Sequence, residues 1–337
     1  MASVVRMGVH LWGAVSCDDS WRVRNPFLWS CSMKKLKLKI GLFLVVFQLA
    51  FVKAIALPYE FSDYFIGDER LLELNRLKEG KVTFIDFLSK PLDEEGLSEF
   101  VLNVIDVRLC CELTNYDFRL TDIQSRNLAY LHVLVAYAPT SRVWIKKLLK
   151  DNLHLGDAIL LEYAYVGFLD RDENYKEHLE VLVSKGIADA EYLLGLELRK
   201  QEEVDMSVSI FNSLLDKAHT KGHIAATYQK IHHEQSVSGL LSKESEVKLL
   251  ELAKVGDINS KLLITTLFLQ GKLSNLDFEF VKESIMTAPI DPLGVVPYHQ
   301  ALFLIGSQSD IELGFEKMEM SRKIGNLSAA EFLDGLM

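Results

Sequence analysis

The chain has 337 residues, 49% of them hydrophobic, 25% charged and 10% aromatic, with a formal net charge of −10. It is too apolar for a disordered chain, and its 19 Gly, 7 Pro and 4 Cys exclude collagen-like, mucin-like and disulfide-stapled small scaffolds. The acidic balance speaks against nucleic acid as a partner.

Residues 1–32 hold three of the four Trp (Trp12, Trp21, Trp29) and two of the four Cys (Cys17, Cys31), with neither helical nor strand periodicity. They read as an extension ahead of the true start or as a disordered one, and translation is expected to begin at Met33. Residues 33–56 have the order of a signal peptide. Lys34, Lys35, Lys37 and Lys39 precede an apolar run over 40–52, and Ala54-Ile55-Ala56 follows it. A membrane span needs about 20 apolar residues, and this run is shorter. Small residues at Ala54 and Ala56 place the cut before Leu57. A periplasmic or secreted protein is therefore expected, with an anchor through the uncleaved segment as the alternative. The segment before the cut carries eight of the 37 bases and two of the 47 acids, leaving 29 and 45, or −16 over 281 residues.

From residue 57 onward the apolar spacing is helical. Over 57–139 it predicts helices at about 67–78, 93–113 and 120–137, read as an N-terminal cap or as degenerate repeats. Helical windows continue at 158–168, 188–200, 204–220, 243–254, 258–269 and 309–323. No run of alternating β-branched residues is bounded by hairpin turns, and the prolines fall between helices or at their starts. The fold class is all-α.

Over 140–337 a period emerges. Gly156, Gly186, Gly222, Gly256 and Gly325 each open a helix, at intervals of 30, 36, 34 and 69 residues. The last interval is doubled, so one opening is missing near Asp291. Each Gly ends the preceding helix. Four residues later a small side chain, Ala190, Ala226, Ser260 or Ala329, lets two helices approach, and Leu193, Ile231, Ile264 or Leu333 fills the seam. One helix pair cannot bury its apolar face alone. The expected architecture is a right-handed α-α solenoid of stacked antiparallel helix pairs.

The segment SKGIADAEYLLGLEL, with Gly186, Ala190, Leu194 and Gly195, resembles the Sel-one-like repeat, a relative of the tetratricopeptide repeat. IELGFEKMEMSRKIGNLSAAEFLDGL, with Gly325, Ala329 and Gly335, and SEVKLLELAKVGDINSKLLITTLFLQGKL, with Ala253, Gly256 and Gly271, are similar. The resemblance, to the exported bacterial type, covers roughly residues 140–337. Ser260 stands in place of Ala, and Ile231 and Thr265 in place of the inner Gly. It implies an adaptor or scaffold and leaves function to be argued from the site.

Candidate chemistry is sparse. Cys110 and Cys111 are helix neighbours pointing about 100° apart, read as small apolar residues, with a redox or intermolecular pair as the alternative. Asp170 to Asn174 imitates the start of a calcium loop, but Tyr175 and Val181 stand where that loop needs Gly and Glu. His219, His223, His232 and His233 lack the order that sets two His on one helical face. Tyr163, Tyr165, Tyr192 and Tyr228 lie on first helices and read as repeat packing rather than a ligand cage. No catalytic, cofactor or metal residue is assigned. The expected partner is a protein or peptide with a basic or mixed surface, without nucleic acid. An envelope enzyme on a solenoid platform and a structural subunit of an envelope or secretion assembly remain open.

Overall fold

The computed structural model describes residues 68–109, 120–172, 174–200, 205–273 and 276–336. The 1–32 extension, the 33–56 segment with its cut site, and the Cys110-Cys111 pair lie outside the described residues.

Sixteen α-helices and a short 3-10 turn make up the regular structure, with no β-strand among the described residues. The chain opens with α1 (Asp68–Lys78), α2 (Phe84–Ser89) and α3 (Glu99–Val107). The window read as a helix from 93 begins only at Glu99. The Asp93 carboxylate accepts from the Glu95 N–H at 3.2 Å, and Ser98 Oγ accepts from the Val101 N–H at 3.3 Å. Short polar side chains there satisfy the backbone locally, so the segment turns first and the Ser98 cap sets the helix start.

Paired helices follow: α4 (Asp122–Tyr137) with α5 (Pro139–Asp151), α6 (Asp157–Asp170) with α7 (Tyr175–Ser184), and α8 (Ala188–Lys200) with α9 (Asp205–Thr220). Then come α10 (Ile224–Ser238) with α11 (Lys243–Lys254), α12 (Ile258–Leu269) with α13 (Phe278–Met286), α14 (Val295–Gly306) with α15 (Ile311–Ile324), and a last helix, α16 (Leu327–Asp334). Caps recur at the helix starts. Thr121 and Gln124 form a reciprocal capping box on α4, Pro139 sits in the first turn of α5, and Ser242, Asp257, Asp277, Asp310 and Asn326 each accept from a backbone N–H.

Every helix packs against the next one in sequence from α3 to α16 in the described chain wherever a pair shares a short connection, and first helices also meet: α4 with α6, α6 with α8, and α12 with α14. The buried side chains accordingly form a succession of local cores. One runs from α1 to α6, and others bridge α6–α8, α8–α10, α10–α15 and α14–α16. The architecture is an all-α solenoid of stacked helix pairs, stabilised between neighbours rather than by one central core.

Candidate functional site

The first helices build one face, and α3 lies against it. Phe100, Val101 and Ile105 of α3 are buried in the core shared with α4, α5 and α6. The Phe100 ring meets Tyr137 of α4 edge-on, with centroids 5.1 Å apart. Farther along, Asn103 and Val107 sit against Gly256, in the turn between α11 and α12. One helix near the start of the described chain therefore touches repeats more than 150 residues later.

Arg108, directly after α3, completes this contact. Its Nη2 donates to Glu162 Oε1 of α6 at 2.5 Å, and its Nη1 donates to Asp189 Oδ1 of α8 at 3.4 Å. Both carboxylates come from successive pairs, and all three side chains are almost solvent-free, at 5%, 3% and 8% exposure. Two histidines brace the acids. His132 Nδ1 lies 2.9 Å from Glu162 Oε2, and its ring stacks on Tyr165 at 4.2 Å. His223 caps α10, its Nδ1 accepting from the Ala226 N–H at 3.1 Å. The proton of the neutral ring must then sit on Nε2, which donates to Asp189 Oδ1 at 3.2 Å.

The charges fix the protonation of this cluster. Burial pushes the Glu162 carboxyl up, but the charges and hydrogen bonds of His132 and Arg108 outweigh it and hold the group below the usual carboxylate range. Asp189 is likewise held low, with burial opposed by Arg108 and His223. Carboxylates kept ionised in this way accept hydrogen bonds and have no proton to give at neutral pH, so the cluster is built to hold a cation rather than to act as a general acid.

A second group of acids sits along the same face. Asp257 Oδ2 caps α12, accepting from the Ser260 N–H at 2.8 Å and the Ser260 hydroxyl at 2.5 Å. Asp291 accepts from the N–H groups of Leu293 and Val296 ahead of α14. Burial holds Asp291 above the usual carboxylate range against those backbone bonds. The Tyr137 hydroxyl is pushed up to about 12 by burial and by the charges of Asp291 and Asp257. Lys261, one turn beyond Asp257, is held below the ordinary lysine range by burial, with Asp257 opposing.

The residues singled out by the repeat pattern occupy the turns and seams. Gly156, Gly186, Gly222, Gly256, Gly271 and Gly325 all have positive φ and lie at helix boundaries. Gly195 lies inside α8, where an added Cβ would stand 3.5 Å from the Phe211 ring of α9. Ala190, Ala226 and Ala329 are fully buried, as is Ser260. The missing opening near Asp291 is supplied by Gly294, which has φ 67 and caps α14. Ala54, Ala56 and Leu57 lie outside the described residues. The tyrosines pair with histidines: Tyr165 with His132, Tyr163 with His178, Tyr192 with His223, and Tyr228 with His232. Asp170 and Asp172 are engaged by Arg142 and Lys146. Among the described residues, no group of three or more His, Cys, Asp or Glu side chains could hold a metal ion.

Sequence reasoning did not find Arg108, Glu162 or His132. His223 carried a local signal, since it follows a turn glycine at the helix-capping position. The other three carried none, because their partners are 30 to 81 residues away.

No protein-family model matches the chain, and no curated protein matches it. Among solved structures it is similar to a Sel1 repeat protein from Oxalobacter formigenes, at 15% identity and a TM-score of 0.43 over 92% of this chain and 91% of that one. The functional reading rests on the chain's own geometry.

Proposed function

We propose that this protein is a non-catalytic helical-repeat scaffold that binds a protein or peptide segment on the face built by its first helices. The observation that carries the reading is α3 itself. A helix seats there with apolar anchors and a paired charge, which is how an amphipathic helix docks in a groove. The ionised acids on this face and the net charge of −16 from Leu57 onward favour a partner surface that is basic or mixed and disfavour nucleic acid.

The proposal includes export to the cell envelope. Its support is the order of residues 33–56, a lysine-rich start, an apolar stretch and a small-x-small end. N-terminal sequencing of the native protein should return Leu57; a product beginning upstream of Lys53 would refute the export step. The binding reading is tested with a photo-crosslinking residue at Tyr228, on first helix α10, or at Val143, an exposed position of second helix α5. Adducts in cells are expected from Tyr228 and not from Val143. Equal adducts at both, or none at Tyr228, would refute it.

A further inference from the structure

We propose that Glu162 and Asp189 form a receptor for a guanidinium group, filled by the chain's own Arg108, so that α3 is a built-in competitor for an arginine-bearing helical segment of the partner. This deepens the binding reading above and rests on it.

The seated segment has the form of a helical ligand. Val101, Ile105 and Arg108 are spaced by four and then three residues, so they lie along one side of the helix, and all three are buried against the first helices. Glu99 and Asp106 of the same helix are exposed. The apolar anchors meet repeats at one end of the face. The guanidinium reaches the next two first helices, α6 and α8.

The receptor is complete without α3. Glu162 and Asp189 come from separate pairs. His132 of α4 and His223 of the α10 cap hold their carboxylates in place, and the His223 ring is itself fixed by the Ala226 N–H. With Arg108 withdrawn, two buried carboxylates would lose the guanidinium they share. That state is unfavourable unless another cation enters. A planar fork donating to two carboxylates at once suits arginine better than lysine. The occupant is therefore an arginine-bearing helix, recognised by the same anchor spacing that α3 presents.

The test uses the full chain and a synthetic helix of residues 98–109, SEFVLNVIDVRL, with a second peptide in which the arginine is alanine. Arg108→Ala vacates the receptor and removes the charged hold on α3, so that a peptide with the same anchors can displace it. The arginine peptide should bind this variant at least about tenfold more tightly than it binds the wild type, because the competent state is no longer masked. The alanine peptide should bind neither, and adding Glu162→Gln should abolish the gain. Methylguanidinium should raise the melting temperature of Arg108→Ala, with methylammonium at equal ionic strength having no such effect. Should Arg108→Ala fail to fold, Arg108→Lys keeps the charge without the fork and should show the same preference for the arginine peptide. Equal binding of both peptides, or no preference of either variant over wild type, overturns the proposal. The Tyr228 crosslinks would still stand in that case, so the two readings fail separately.

Discussion

At the scale of single residues, the buried charge cluster governs the region around α3. Arg108, Glu162 and Asp189 are nearly solvent-free, and the guanidinium lies 2.5 Å from Glu162 and 3.4 Å from Asp189. Taking such groups out of water is expensive, and the penalty is offset only while each keeps its partner. Glu162→Gln keeps the shape and removes the charge. It leaves the Arg108 Nη2 facing a neutral amide and deprives His132 of its acceptor carboxylate. The expected loss is about 3 kcal/mol of stability, at the lower end of the range for breaking a buried pair. Urea titration followed by circular dichroism would check it; a midpoint equal to that of wild type would show that the cluster contributes nothing to stability.

At the scale of helices, glycines of two kinds set the packing. Gly256 has φ +99, where an L side chain is strained by about 1–2 kcal/mol. A Cβ there would also lie 2.9 Å from Asn103 Nδ2 of α3. Gly256→Ala should therefore destabilise by about 1–2 kcal/mol and loosen α3, seen as faster hydrogen exchange over Glu99–Val107. Gly314 is different, because it lies inside α15 in ordinary helical conformation. Alanine would gain up to about 1 kcal/mol in helix propensity. Its Cβ would stand 2.6 Å from Ile305 Cγ1 and 3.3 Å from Leu304 Cβ, where close-packed atoms must shift. Overpacking of that kind costs about 1–3 kcal/mol and wins. Gly314→Ala should raise exchange in α14 and α15 while α4 to α6 stay unchanged, since each pair leans on its neighbours. A uniform rise along the chain would contradict that. The turn glycines were legible in the sequence because a helix end needs a special backbone and recurs at intervals of 30 to 36 residues or about twice that. The interior contact at Gly314 was not, because nothing local distinguishes a glycine pressed by a neighbouring helix. The seat of α3 was hidden for the same reason, since the distance along the chain from Arg108 to Asp189 leaves no periodic trace. The short helix α2 offered too few turns to reveal a period.

At the scale of the whole molecule, one buried and two half-buried histidines couple stability to pH. Burial holds His219, His232 and His299 below the ordinary value of 6.5; the neighbouring cations Lys230, at His219, and Arg199, at His232, add to it. The unfolded chain takes up these protons first as pH falls through 6.5. The sign is therefore fixed: stability is full above about 6.5 and is lost on acidification toward the lower folded values. Asp291 works the other way, because its raised pKa lets the folded form bind a proton before the unfolded one does, but it acts alone and near the carboxylate range. Glu162 and Asp189, held low, add a further loss once pH drops below their unfolded values of 4.5 and 3.8. The melting temperature should thus fall from pH 7 to 5.5 and fall again below about 4.5. His299 is enclosed in α14, with Nδ1 donating to the Val295 carbonyl at 3.0 Å, and burial holds it below its ordinary value, so it contributes to the first decline. His299→Gln removes the titrating group. Thermal denaturation of this variant should show a shallower decline between pH 7 and 5.5 and an unchanged one below 4.5. An unchanged upper slope would assign that decline to His219 and His232 instead.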